Sequence, residues 1–278
     1  MIRIVTDSTA DIPSKMAEEN GISIVPLKVC INDKEYFDGV TIGRDEFYHH
    51  LVDEDVFPKT SQPTPNDFLD IFNDIKAKGD ECICITLSSS LSGTYQSALL
   101  AKKLCEYDNI HIIDSLSATG GMLLLVHETI RLIKDGKSVE EIVETIEALK
   151  NRIHIVAALS TLEYLKKGGR ISAATAAIGS LARIKPIITV DVEGNVDVFT
   201  KAIGFNKAIS TVIENMTDVD TNYPIYPVYT YGTENLTKLL AHPALNKYSF
   251  AENVQVGPTI GTHVGPEVFG FCYIGNNR

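Results

Sequence analysis

Tryptophan is absent from this 278-residue chain, methionine occurs four times and cysteine five. The cysteine number is odd and the spacings match no metal pattern. Cys82 and Cys84 stand two apart on a predicted strand, while Cys30, Cys105 and Cys272 are scattered. Reduced, mostly buried thiols are expected in place of a disulfide framework. Basic runs interleaved with aromatics are also lacking, and a net charge of −11 argues against nucleic acid as a partner. No apolar run approaches the roughly 18 residues that a membrane span needs. Met1 to Asp7 reads as a strand entering a polar loop and not as a signal peptide, so a cytoplasmic location is expected. Neither a Gly-x-x-x-x-Gly-Lys-Ser/Thr loop nor a Gly-x-Gly-x-x-Gly fingerprint occurs, which speaks against bound nucleotide. His127 lacks the second histidine of a helical zinc motif, and no metal or other cofactor is expected.

What the chain does contain is a globular balance of 44% hydrophobic and 22% charged residues. Its length supports a sizeable core, in one large domain or two ordinary ones. The first half alternates strand and helix. Strands are predicted at Ile2–Thr6, within Ile22–Asn32 around Pro26, at Cys82–Leu87 and at Ile110–Ile113. Asp11 reads as a helix N-cap, Thr60 to Pro65 as a loop, Asn66–Lys76 and Ala118–Lys134 as helices, and Ser138 to Glu141 as a capping box. Strand–helix alternation with connections this long implies a mostly parallel sheet. The second half mixes helices with a predicted hairpin around Glu193-Gly194, which implies a partly antiparallel sheet. The fold expected is therefore α/β, with an N-terminal α/β domain over 1–151 and a C-terminal one over 152–278. A small-residue helix is predicted from Ala173 to Ala182.

The most informative stretch is Ser88-Ser89-Ser90-Leu91-Ser92-Gly93-Thr94-Tyr95. It joins a buried strand to a helix, the position where open α/β sheets bind ligands. The first amides of a helix lack partners and favour negative charge. One hydroxyl would suffice to cap the helix; five in seven positions point to an oxyanion or carboxylate site. Three further polar clusters stand out: Thr6-Asp7-Ser8-Thr9, Thr60-Ser61-Gln62, and Thr262-His263 within a Gly- and Pro-rich segment read as a shaped loop. His263 is either a site residue or an exposed bystander. Ser92, His263 and Asp7 invite a serine hydrolase reading, although no Gly-x-Ser-x-Gly elbow is present. Lys166-Lys167-Gly168-Gly169-Arg170 is a basic turn, readable either as a solvated helix end or as a contact for negative charge.

Taken together, Val5-Thr6-Asp7-Ser8-Thr9, Thr60-Ser61-Gln62-Pro63, the serine loop, Leu165 to Ile171, Ile184-Lys185-Pro186 and Gly261-Thr262-His263-Val264-Gly265-Pro266 resemble the DegV family of bacterial fatty-acid-binding proteins. The motifs occur in the family's order along nearly the whole chain. The resemblance implies two α/β domains of the EDD fold with a fatty acid between them. It implies a carboxylate site at Thr60, Ser61, Ser92, Gly93, Thr94 and His263. It implies a non-enzymatic acyl carrier that presents its ligand to an ATP-dependent fatty acid kinase, which makes acyl phosphate for phospholipid synthesis. Arg170 matches the position tied to the phosphoryl-transfer step and is expected to act there, with little effect on fatty acid affinity. Transient contact with an anionic membrane surface is a further expectation. Two readings compete with this one: a hydrolase of acyl substrates, and a carrier of another anionic lipid. Met122 to Val126 and Ala176-Ala177-Ile178 are candidate tunnel walls. Lys201 stands where many members carry arginine, and the two side chains are not equivalent.

Overall fold

The computed structural model describes residues 1–171 and 183–276. The chain runs β1 (Ile2–Asp7), α1 (Ser14–Asn20), β2 (Ser23–Val25), β3 (Lys28–Ile31), β4 (Lys34–Phe37), α2 (Arg44–Tyr48), β5 (Lys59–Ser61), α3 (Pro65–Lys78) and β6 (Glu81–Thr86). It continues with α4 (Thr94–Cys105), β7 (Ile110–Asp114), α5 (Gly120–Lys134), α6 (Val139–Leu149), β8 (Ile153–Ala158) and α7 (Glu163–Lys167). After the undescribed residues come β9 (Ile184–Val190), β10 (Val196–Ile203), α8 (Gly204–Glu214), β11 (Tyr226–Tyr229), α9 (Glu234–Leu240), β12 (Val254–Gln255), α10 (Pro258–Val264) and β13 (Phe269–Ile274). The small-residue stretch from Ala173 to Ala182, including Ala176-Ala177-Ile178, lies outside the described residues.

The first sheet has the order β2-β1-β6-β7, parallel throughout. Its strands are buried on both faces, which is why they read as apolar runs with little alternation. Successive side chains nonetheless part to opposite sides. Val5, Cys82 and Cys84 pack with Phe68 and Phe72 of α3 and Ala98 and Ala101 of α4. Ile4, Ile83 and Ile85 pack with α5 and α6 on the other side. The second sheet has the order β10-β9-β8-β13-β11-β12 and is antiparallel except for its β11–β12 edge. Its outer face carries α8 and α9 over Val156, Phe269 and Phe271. Between the sheets lies α5, apolar nearly all round, so one hydrophobic cluster runs from Ile4 through Met122 and Leu125 to Val228 and Cys272. The helix can come this close because Gly120 has no side chain; a Cβ there would stand 3.0 Å from both Cys272 Cβ and Val228 Cγ1.

A third, small antiparallel sheet, β4-β3-β5, stands apart from these two and carries Thr60. Three local expectations change here. Thr60 and Ser61 lie in a strand, not in a loop. The His263 segment is a helix, α10, started by Pro258 and ended at Gly265, whose φ of 77° favours glycine. Asp11 is not an N-cap: α1 begins after Pro13, and the Asp11 carboxylate reaches across the molecule. The five cysteines are free, four of them buried. No helix among the described residues is long and apolar enough to cross a membrane.

Candidate functional site

The serine loop follows β6 and begins under a fixed restraint: Asp7 Oδ2 accepts a hydrogen bond from Leu87 N at 2.7 Å. Its hydroxyls then divide among different tasks. Ser88 Oγ donates to Gly194 O at 2.8 Å and Ser90 Oγ to Glu193 O at 2.6 Å, which fastens the tip of the β9–β10 hairpin onto the loop. Gly194 has a φ of 82°, as this tight tip requires. Ser92 Oγ pairs with Thr94 Oγ1 at 2.9 Å in the first turn of α4. From the small sheet, Gln62 lies against Gly93 and donates to Ser97 Oγ at 3.0 Å, so β5 is drawn up to the serine loop. Thr60 is thereby brought to His263, with 2.8 Å between Oγ1 and Nε2.

His263 sits 203 residues away from Thr60 in sequence, on a helix gripped by the N-terminal half. Asp11 Oδ1 accepts from Gly257 N at 2.8 Å, and Asp38 Oδ2 from Thr259 N at 3.1 Å. Tyr48 Oη donates to Val256 O at 2.9 Å, and Arg44 Nε to Gln255 O at 2.7 Å. Thr119 Oγ1 and Arg44 Nη2 complete the Asp11 carboxylate at 2.6 and 3.2 Å. Burial pushes the Asp7 carboxyl up to about 6 and the Asp11 carboxyl up to about 7; for Asp11 the Arg44 charge opposes the rise. Burial also raises Asp38, although the Thr259 hydroxyl and amide beside it favour its charged form.

Thr60, Ser92, Arg170 and His263 all face one cavity, with an empty volume of about 670 Å³. Among the described residues its wall holds eleven apolar side chains, such as Leu87, Ile155, Leu165 and Ile188, and six polar ones. Ser61, Gly93 and Thr94 are not part of this wall; Thr94 instead supports Ser92, and Ser61 is exposed. Met122 to Val126 are buried in the core between the sheets and do not line the cavity. Thr119 and Thr259 do line it, and sequence reasoning missed both. Thr259 was within reach of that reasoning, since it sits in the same glycine-rich segment as His263; Thr119 lies outside every polar cluster.

Arg170 does not stand clear of the cavity. Its guanidinium is fixed by Nε to Leu91 O at 3.1 Å and by Nη1 to Gly168 O at 2.6 Å, and it forms part of the wall. Arg170, Leu91 and Val196 also line a second, polar cleft with Ser90, Asp191 and Asn195, so the arginine stands where the two spaces adjoin. Gly168 closes the other side of the imidazole: a Cβ there would collide with His263 Nδ1. That nitrogen is buried and has no hydrogen-bond partner among the described residues.

Burial lowers the His263 pKa to about 4, and the nearby Arg170 charge lowers it further in the same direction. The imidazole is therefore neutral near pH 7 and the fixed positive charge of the site is Arg170. The arrangement offers hydroxyls, a neutral imidazole and a guanidinium in the wall of one largely apolar space. It does not assemble a nucleophile. No hydrogen bond joins Ser92 to His263 among the described residues, and the Asp7 carboxylate is occupied by Leu87 and Thr9 far from any imidazole contact. An anion placed beside His263 stabilises the imidazolium, so its pKa should rise above about 4 when a carboxylate enters. Binding should then take up protons between about pH 4 and 6, and affinity should increase as pH falls through that window. Titration of the His263 ring by NMR, with and without ligand, checks this; an unchanged midpoint would place the anion elsewhere.

Comparison with known proteins adds an independent observation. The model of the DegV family, described as "Uncharacterised protein, DegV family", matches residues 1–276. The chain belongs to the DegV family. A DegV domain-containing protein of Caldanaerobacter subterraneus subsp. tengcongensis is 37% identical over 277 residues, covering 98% of each chain. Among solved structures, a stearic acid-binding protein from Eubacterium ventriosum superposes with a TM-score of 0.88 at 30% identity, over 99% of this chain and 98% of that one. DegV of Bacillus subtilis, described as a fatty acid binding protein, superposes with a TM-score of 0.87 at 31% identity over 99% of both chains. The α/β architecture with one parallel and one mixed sheet is thus that of the DegV fold.

Proposed function

We propose that this DegV-family chain is a non-catalytic carrier of a long-chain fatty acid, held in the apolar cavity with its carboxylate at Thr60, Ser92, His263 and Arg170. The observation that supports this most is the convergence of those four polar side chains, drawn from four separate chain segments, on one cavity walled mostly by aliphatic residues, with Thr60 and His263 in contact. The fatty-acid-binding descriptions of the similar solved structures point the same way. Burying a methylene contributes about 0.8 kcal/mol, so about 14 methylenes offer roughly 11 kcal/mol before ordering costs. The chain supplies affinity, and the polar end supplies orientation. In this reading the molecule divides into domains 1–151 and 152–278, with the ligand between them. The carrier presents its cargo to an ATP-dependent fatty acid kinase for acyl phosphate formation in phospholipid synthesis. Arg170, at the junction of cavity and polar cleft, is suited to stabilise charge that develops on the transferred phosphoryl group.

Denaturing extraction of native protein followed by mass spectrometry tests the reading. Intact C14–C18 acid is the expected product; the absence of lipid, together with no thermal stabilisation by added acids, would refute it. The same extraction separates a carrier of another anionic lipid. A hydrolase would instead form a covalent fluorophosphonate adduct at Ser92. Loss of one hydrogen bond to a charged group costs about 1.5–3 kcal/mol. Thr60→Val and Ser92→Ala are each expected to weaken binding about tenfold or more in a displacement titration, with the unfolding transition retained.

A further inference from the structure

Two buried carboxyls grip the entry to α10 and face a single guanidinium. Asp11 Oδ1 accepts from Gly257 N at 2.8 Å, and Asp38 Oδ2 accepts from Thr259 N at 3.1 Å. A Cβ on Gly257 would stand 2.7 Å from Asp11 Oδ1 and 3.3 Å from Asp38 Oδ1, so the two carboxyls flank one α-carbon. Arg44 meets Asp11 at 3.2 Å and commits its Nε to Gln255 O at 2.7 Å. Among the described residues, the other titratable groups that act on the pair bring no positive charge: Asp7 beside Asp38, Tyr48 beside both, and Cys272 beside Asp11. One cation for two desolvated carboxyls leaves the second ionisation uncompensated, so the pair retains a proton where exposed carboxyls have lost theirs. Burial raises both; at Asp11, which reaches about 7, Arg44 opposes the rise.

The pair also borders the cavity. Thr119, which donates to Asp11 Oδ2 at 2.6 Å, and Thr259, whose amide holds Asp38, are both wall residues. Resting on the fatty-acid reading above, we infer that Asp11 and Asp38 share a proton across Gly257 and that filling the cavity tightens its hold, so that cargo binding takes up a proton near neutral pH. Two effects act in the same direction. An acyl chain displaces water from the wall beside the carboxyls, which disfavours their charged forms. The bound carboxylate adds negative charge near His263, four residues and about 6 Å along the axis of α10 from Thr259. By linkage, the grip on cargo relaxes as pH rises through neutrality. This window lies above the one in which His263 titrates.

The test is a displacement titration with palmitic acid at about pH 6.5 and about pH 8.5, in the parent protein, Asp11→Asn and Asp38→Asn. Across this interval the parent is expected to lose about three- to tenfold more affinity than either variant, within the roughly tenfold per pH unit that one proton allows. Ionisation of palmitic acid itself is common to all three proteins and cancels in the comparison. Calorimetry of the parent at about pH 7.5, in two buffers of different ionisation enthalpy, reads the proton directly and needs no variant to fold. Net uptake on binding is the expected result. Binding without uptake overturns the inference and leaves the fatty-acid reading standing. Uptake or pH dependence that persists undiminished in both variants places the proton elsewhere and overturns it too. Failure of palmitic acid to bind at either pH overturns both.

Discussion

Replacing Arg170 with alanine is expected to weaken fatty acid binding by about ten- to a hundredfold. That range corresponds to the roughly 1.5–3 kcal/mol carried by a hydrogen bond to a charged group. The sequence reading separates Arg170 from the carboxylate site and predicts little change in affinity. The structure removes the basis for that separation, because the guanidinium lies in the wall of the cavity that holds Thr60, Ser92 and His263, and its charge acts on the imidazole. With His263 neutral near pH 7, no other fixed cation is available among the described cavity side chains to balance a bound carboxylate. The control is a fatty alcohol of equal length, which lacks the carboxylate and should bind parent and variant alike. Parental affinity for the acid, combined with slowed acyl phosphate formation by a cognate kinase, would restrict Arg170 to the transfer step.

Asp11→Ala should be the most destabilising change near the site, at about 3 kcal/mol in urea unfolding. It strips the acceptor from two buried donors, Gly257 N and Thr119 Oγ1, and releases Arg44. The same carboxyl gives stability a pH dependence whose sign is set by its raised pKa. It titrates near 7 in the fold against an ordinary 3.8, so between those values the folded chain holds a proton that the unfolded chain lacks. Its contribution is complete below about 3.8 and is lost as pH rises through about 7. His263, lowered to about 4 from 6.5, slopes the other way over part of that window, so parent and Asp11→Asn must be compared. The urea midpoint of the parent should fall more between pH 5 and pH 8 than that of Asp11→Asn. Equal slopes would show that Asp11 stays ionised throughout.

Much of the architecture is legible in local pattern. Apolar runs mark β1 and β6, the capping box marks α6, and Glu193-Gly194 marks the hairpin, because each rests on neighbours in sequence. The site is legible only in part. His263, Thr60 and Ser92 stand out by composition, yet the segment that carries His263 reads as a loop, since three glycines and two prolines from Gly257 to Pro266 outweigh helical periodicity over a seven-residue helix. That helix exists because Asp11, Asp38, Tyr48 and Arg44, more than 200 residues earlier, satisfy its entry. Asp11 likewise reads as a cap because nothing local reveals its distant partners. Arg170 is found by motif, and its position in the cavity wall follows from tertiary placement alone.

The order in which the strands are made has a consequence for biosynthesis. In the six-stranded sheet, β13 is the bond between β8 and β11, and among the strands it is the last to leave the ribosome. Until Phe269–Ile274 has been synthesised, that sheet exists only as two unjoined pieces, and α10 has just emerged to meet the carboxyls that wait for it. The parallel sheet, complete by Asp114, can form much earlier, as N-terminal units do during translation. A nascent fragment ending before β13 already holds every described residue of the cavity wall, yet leaves Tyr226, Val228 and the apolar face of β8 without the strand that pairs them.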